Sequence, residues 1–178
     1  EATGRGPVTR GGARPGDWIF VTGRLGGSLA GHHLTFTPRV LEAQTLHVAV
    51  ELHAMIDLSD GLASDLRHIL EASGVGAVLS ADAIPISDAA HAASDGRTPL
   101  EHALGDGEDF ELLFTVSPAD GRKLLDSPPI ACPLTQIGEI REEPGCELVQ
   151  PDGQRVPLPS LGWEHRFAPS SPLAPGSE

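Results

Sequence analysis

The chain has 178 residues, 39% hydrophobic and 21% charged, enough apolar material for one packed domain of one or two lobes and too much for global disorder. Twenty-five acidic side chains against 12 basic ones leave a net charge of −13, so neither nucleic acid nor an anionic membrane finds a basic surface here. No apolar run approaches the ~20 residues that span a bilayer. No secretory signal is visible either, so the expectation is a cytoplasmic protein with Cys132 and Cys146 as reduced thiols.

Residues 1–16 are rich in Gly and Arg with little apolar content, and read as a linker or the cut end of a longer protein. Asp17-Trp18-Ile19-Phe20-Val21-Thr22-Gly23 reads as a buried strand ending in a turn. A Gly-rich connector follows, Gly26-Gly27-Ser28-Leu29-Ala30-Gly31, which matches neither Gly-rich phosphate motif, GxxxxGK[ST] or GxGxxG. Thr37-Pro38 offers an N-cap with Pro at the first helical position, and 40–52 carries a helix-like pattern. Ala54 to Leu58 is a short apolar strand. Ser59 or Asp60 then caps a helix whose Leu62, Leu66, Ile69 and Leu70 share one face, with Gly74 as its stop.

Val75 to Leu79 reads as a strand, and Ser87 to Ala93 and Thr98 to Leu104 as short helices. Phe110 to Val116 is a buried strand, and Pro118 to Leu125 a helix behind a capping Ser117. Leu134 to Ile140, Glu147 to Gln150 and Arg155 to Leu158 close the fold as strands, with Asp152-Gly153 as a hairpin turn. The alternation departs from a strict βαβ rhythm. The expected fold is therefore α+β, a mixed β-sheet with packed helices over 17–167, followed by a Pro/Ser/Gly-rich tail, 168–178, expected to be disordered.

Two acidic runs carry the chemistry. In Met55-Ile56-Asp57-Leu58-Ser59-Asp60-Gly61-Leu62, a strand delivers Asp57 to its C-terminal end, and Ser59 and Asp60 stand where the chain turns into a helix. The positive end of that helix favours an anion. Ser59 can donate to a phosphate oxygen, and the two carboxylates can hold a Mg²⁺ ion that bridges to it. An ordinary cap, worth about 1 kcal/mol, explains Ser59 or Asp60 as well, though not all three acceptors.

The second run is Gly105-Asp106-Gly107-Glu108-Asp109-Phe110-Glu111. Its glycines suggest a tight bend that leaves Glu108 at the rim of the sheet. There it suits either a cationic substrate or plain solvent, and Glu111 either faces solvent or pairs with an Arg. Arg10 is either a phosphate contact or a solvated linker residue. Trp163 either stacks on an aromatic ring or plugs the core. The eight His residues show no HExxH or similar metal-ligand spacing.

Taken together, these runs resemble the C-terminal domain of thiamine-monophosphate kinase, in the aminoimidazole-ribonucleotide-synthetase-like superfamily. The resemblance also covers the segment from Arg10-Gly11-Gly12-Ala13-Arg14-Pro15-Gly16-Asp17 to Gly23, and the closing Gly162-Trp163-Glu164-His165. It runs in order from about Arg10 to Phe167. It implies ATP-dependent phosphorylation of thiamine monophosphate, with Mg²⁺. By matching motifs, Asp57 and Asp60 would bind metal, Ser59 and Arg10 would contact ATP, and Glu108 and Trp163 would contact thiamine monophosphate.

The resemblance further implies a homodimer of the full-length protein. It also implies an N-terminal domain, absent from these residues, that carries most metal ligands and much of the ATP site. Gly31 is joined to Pro38 by a connector shorter than the helical segment of some relatives. Two alternatives remain: a non-catalytic assembly module of the same fold, and a sister ATP-dependent synthetase with another substrate. The chain is expected to be half of an active site. Incubated alone with ATP, Mg²⁺ and thiamine monophosphate, it should form no thiamine diphosphate by chromatography, and detectable product overturns that expectation.

Overall fold

The computed structural model describes residues 6–159; Trp163 and the tail 168–178 lie outside the described residues. Seven strands form one sheet: β1 (Trp18–Thr22), β2 (Leu52–Asp57), β3 (Gly76–Ser80), β4 (Leu112–Val116), β5 (Leu134–Arg141), β6 (Gly145–Val149) and β7 (Arg155–Pro157). Their order is β2-β4-β1-β5-β3-β6-β7, and every pairing is antiparallel except β3 with β6. The helices are α1 (His32–Thr35), α2 (Val40–Ala49), α3 (Leu62–Ser73), α4 (Asp88–Ala92), α5 (Pro99–Gly105) and α6 (Pro118–Asp126). This is the mixed, helix-covered α+β sheet that the sequence suggests.

Side-chain alternation along the strands divides the core in two. Ile19, Val21 and Leu113 point to one face and meet Leu62, Leu66, Ile69 and Leu70 of α3. Phe20, Phe114 and Val116 point to the other and meet Leu46 of α2, Val50 at its C-cap and Leu124 of α6. Phe20 and Phe114 are cross-strand partners, with their rings stacked 5.6 Å apart. Strand β4 is buried along its whole length, which is why Leu112 to Val116 reads as an apolar run rather than an alternation.

Local signals end most elements where the sequence suggests. Gly74 takes a left-handed conformation and closes α3 by bonding back to Leu70 and Glu71. Ser87, Thr98 and Ser117 each accept a first-turn N–H of α4, α5 and α6. Gly153 turns the β6–β7 hairpin.

Several strand ends differ from expectation by one or two residues, and three boundaries differ for a clear physical reason. Helix α2 ends at Ala49, because Leu52 is taken into the sheet opposite Val116. It starts at Val40, with Arg39 rather than Thr37 at the N-cap, because residues 36–39 are held by Phe110 and Glu111. Strand β4 starts at Leu112, because Phe110 has a left-handed backbone.

Residues 9–13 lie along the domain. The Thr9 carbonyl accepts the Met55 N–H at 3.0 Å, on the outer edge of β2, and the Ser73 hydroxyl accepts the N–H groups of Gly12 and Ala13, each at 3.1 Å. Such partners blunt an open sheet edge. Truncating the fully buried Phe114 to Ala should lower the unfolding free energy by about 3–5 kcal/mol. The half-exposed Leu125→Ala should cost under about 0.5 kcal/mol. Urea denaturation of the two variants checks the contrast.

Candidate functional site

Two loops meet at one end of the sheet. The first, 57–61, leads from β2 into α3; the second, 106–111, leads from α5 into β4. Three main-chain hydrogen bonds join them: Glu108 N–H to Ser59 O, Phe110 N–H to Leu58 O, and Leu58 N–H to Glu111 O, each 2.8 Å. Gly107 makes the approach possible, since a Cβ there would lie 2.7 Å from the Ser59 carbonyl.

A third loop, after β1, clamps the pair. Gly26 N–H donates to both oxygens of Asp109 at 3.0 and 3.1 Å, Gly27 N–H to Asp106 at 2.7 Å, and the Ser28 hydroxyl to Gly107 O at 2.6 Å.

The loops concentrate carboxylates, and the protein treats buried and accessible ones differently. Arg39 forks onto Glu111 with contacts of 2.8 and 2.7 Å, and the Thr22 hydroxyl donates to the same group. Asp106 receives Gly27, Arg97 and His102. Asp65 is fully buried, and its Oδ2 accepts the N–H groups of Ser59, Asp60 and Gly61 at 3.0, 3.0 and 3.1 Å. Burial pushes Asp109 up to about 7 and Asp65 up to about 6. By contrast, the side chains of Asp57, Asp60 and Glu108, exposed or half-buried, have no hydrogen-bond or ion-pair partner among the described residues.

The second loop is strained. Glu108 and Phe110 are non-glycine residues at φ of 54° and 51°. Each such residue costs on the order of 1–3 kcal/mol and persists only where its surroundings over-determine it. Here Asp109 is anchored on Gly26, and Phe110 stacks on Phe36 at 4.0 Å. The alternation buries Asp109 and leaves Glu108 exposed.

The expected site residues now have places. Asp57 ends β2 and is exposed; Ser59 and Asp60 are half-buried in the turn; Glu108 is exposed on the docked loop, its main-chain N–H bonded to the Ser59 carbonyl. Arg10 is exposed beside Thr9, whose carbonyl bonds β2 two residues before Asp57. Trp163 lies outside the described residues.

The helix cap is a correction: neither Ser59 nor Asp60 caps α3. Gly61 is the N-cap, at φ 106° and without a side-chain bond, and Asp65 reaches back from inside the helix to bind the three amides instead. Glu111 takes the Arg-paired option. Asp65, a ligand of backbone, is not among the site residues expected from the motifs. The signal was an acid at the third position after Leu62, on the helix's apolar face.

Asp60, Asp65 and His68 bring ligand atoms within 4.8 Å of one another, and the buried Asp65 Oδ1 has no partner. Uncompensated carboxylate oxygens at Asp57 and Asp60 suit a hard cation such as Mg²⁺, whereas an imidazole does not.

Residues 30–150 match the family model described as AIR synthase related protein, C-terminal domain. The chain belongs to this family. Its relatives in the AIR synthase related family include the thiamine-monophosphate kinase of Rhodopirellula baltica, 50% identical over 136 residues, covering 75% of this chain and 43% of that protein. The crystal structure of thiamine-monophosphate kinase from Stenotrophomonas maltophilia superposes with a TM-score of 0.71 at 32% identity, over 85% of this chain and 55% of that one. A ThiL protein complexed with AMPPCP and TMP superposes with a TM-score of 0.66 at 30% identity, over 89% and 54% of the two chains. The chain thus spans about half the length of the curated relatives it matches. Among the described residues, no helix is long and apolar enough to cross a membrane.

The burial of Asp109 sets a pH dependence. Its carboxyl holds a proton to higher pH folded than unfolded, so the folded state binds more protons between about 4 and about 7. Stability should therefore fall as pH rises through that window. Asp95, Glu101 and Asp120, held low by hydrogen bonds, act only at more acidic pH. Without added metal, the thermal midpoint should drop from about pH 5 to about pH 7.5, with a smaller drop in Asp109→Asn. A midpoint that climbs over this range contradicts the assignment.

Proposed function

We propose that this chain is the C-terminal part of an ATP-dependent kinase that converts thiamine monophosphate to thiamine diphosphate. The observation that carries the reading is the division of carboxylates at the loop pair. Buried acids are met by amides or by Arg39, while the accessible Asp57, Asp60 and Glu108 are left without a cation among the described residues. The names of the relatives, and the ATP analogue and TMP named with one of them, support the choice of substrates.

In this reading the γ-phosphoryl group of ATP passes in line to a phosphate oxygen of thiamine monophosphate. The bond from the γ-phosphorus to the β,γ-bridging oxygen breaks, and ADP leaves. The accepting phosphate is already ionised near neutral pH, so no residue need act as general base. Catalysis is positioning and charge neutralisation. Asp57 and Asp60 would hold Mg²⁺, which when bound offsets the repulsion between the two phosphates. The Ser59 hydroxyl would donate to an ATP phosphate oxygen, and Arg10 would meet ATP from the β2 edge. Glu108 faces the cationic thiazolium of the substrate, and Trp163 stacks on its rings. The N-terminal domain supplies the remaining metal and ATP contacts, in a cytoplasmic homodimer.

The test uses the full-length protein. Asp57→Asn should reduce kcat/KM by at least about 100-fold, near 2.7 kcal/mol of transition-state stabilisation, while the thermal midpoint moves by less than about 2 °C. Glu108→Gln should raise KM for thiamine monophosphate about tenfold with a smaller change for ATP. Equal losses of activity and stability in Asp57→Asn would reduce the site to a structural turn.

A further inference from the structure

The proposed roles of Ser59 and Asp60 leave open what orients their turn. No Ser, Thr, Asn or Asp stands at the N-cap of α3, where such a side chain would ordinarily gather the leading amides. The N-cap is Gly61, whose φ of 106° gives the turn no stiffness of its own. Its three consecutive N–H groups, at 59, 60 and 61, converge on one oxygen, Asp65 Oδ2. Asp65 is fully buried, and its helix is fixed by Leu62, Leu66 and Ile69 in the core, so the oxygen is a fixed point. With the amides turned inward, the Ser59 carbonyl is turned to the Glu108 N–H. One carboxylate therefore sets the turn that presents Ser59 and Asp60, and also the strand-like contact that brings Glu108 alongside.

We propose that Asp65 is a positioning residue: its carboxylate holds the 59–61 turn in the conformation that presents Ser59 and Asp60 to metal-bound nucleotide. It acts through main-chain groups and need not touch substrate. Hydrogen bonds to an ionised acceptor are the strong ones. A neutral amide of the same shape keeps an acceptor but weakens all three bonds. The inference rests on the kinase reading for its consequences, but not for its geometry.

Two measurements on the full-length protein separate these parts. The first is steady-state kinetics with ATP, MgCl₂ and thiamine monophosphate for Asp65→Asn and Asp65→Ala. Residues that orient metal-binding groups typically cost 10- to 100-fold, so Asp65→Ala should raise the Mg²⁺ concentration for half-maximal rate about tenfold or more. The KM for thiamine monophosphate should stay within about twofold, and Asp65→Asn should recover part of the loss. The second is hydrogen–deuterium exchange of the peptide covering 59–61, which should speed up in Asp65→Asn while peptides from β1 and β4 are unchanged. If Asp65→Ala does not fold, the isosteric Asp65→Asn carries the test.

An unchanged Mg²⁺ requirement, or a loss that follows the thermal midpoint alone, overturns the proposal. Unchanged exchange at 59–61 overturns it too. If the wild-type protein phosphorylates no thiamine monophosphate, the kinase reading fails separately, and the exchange experiment still decides whether Asp65 holds the turn.

Discussion

Six carboxylates, Asp57, Asp60, Asp106, Glu108, Asp109 and Glu111, crowd into two loops that are themselves bonded to each other, and a seventh, Asp65, reaches them from the first turn of α3. Coulomb repulsion should drive such loops apart, the more so as burial lowers the local dielectric. What holds them is mostly neutral: the main chain. Glu108, Phe110 and Leu58 donate across the gap, and Gly26, Gly27 and the 59–61 amides each meet a buried carboxylate. Only Glu111 relies on a full countercharge, Arg39, and Asp106 on Arg97 with His102. The acids left over are the ones solvent can reach.

That solution has a cost in local geometry. Glu108 and Phe110 are held in left-handed conformations, and at Gly26, Gly27 and Gly107 a Cβ would lie within 2.7 Å of another segment's backbone. The same amides that neutralise Asp65 are unavailable to a phosphate. Helix α3 therefore does not offer its preceding turn as an open anion cradle. A nucleotide would have to be met by side chains, by a bound cation, or by residues from the rest of the protein. This corrects the expectation of an anion held at the positive end of α3, since Asp65 occupies the amides of 59, 60 and 61.

How far the sequence could be read depended on the range of the forces involved. Helix α3 was plain, because Leu62, Leu66, Ile69 and Leu70 share a face and Gly74 marks the end. Both are local signals. The end of α2 was not. Val48, Val50 and Leu52 continue an apolar pattern across the boundary, and only pairing of Leu52 with Val116 decides that it belongs to a strand. Phe110 looked like the first residue of β4, but its partner is Phe36, 74 residues earlier, and the stack holds it out of the strand. The acidic loops were legible as a pair of motifs. Their contact, and the role of Asp65 inside it, were not, since a carboxylate that binds backbone leaves no partner residue type to look for.

The interior placement of β1 in the sheet has a consequence for how the chain reaches this state. Strand β1 is formed from residues 18–22, yet its two neighbours are β4 and β5, which end at Val116 and Arg141. Its apolar side chains therefore have no neighbouring strand until the chain has reached Val116, and no second one until Arg141. Long-range pairings of this kind close late, because the entropy of the intervening loop must be overcome before any contact rewards it. During synthesis, Trp18-Ile19-Phe20-Val21 would wait as an exposed, sticky segment. Folding of this domain would then be slow, with the loop pair assembling only once β4 has docked against β1.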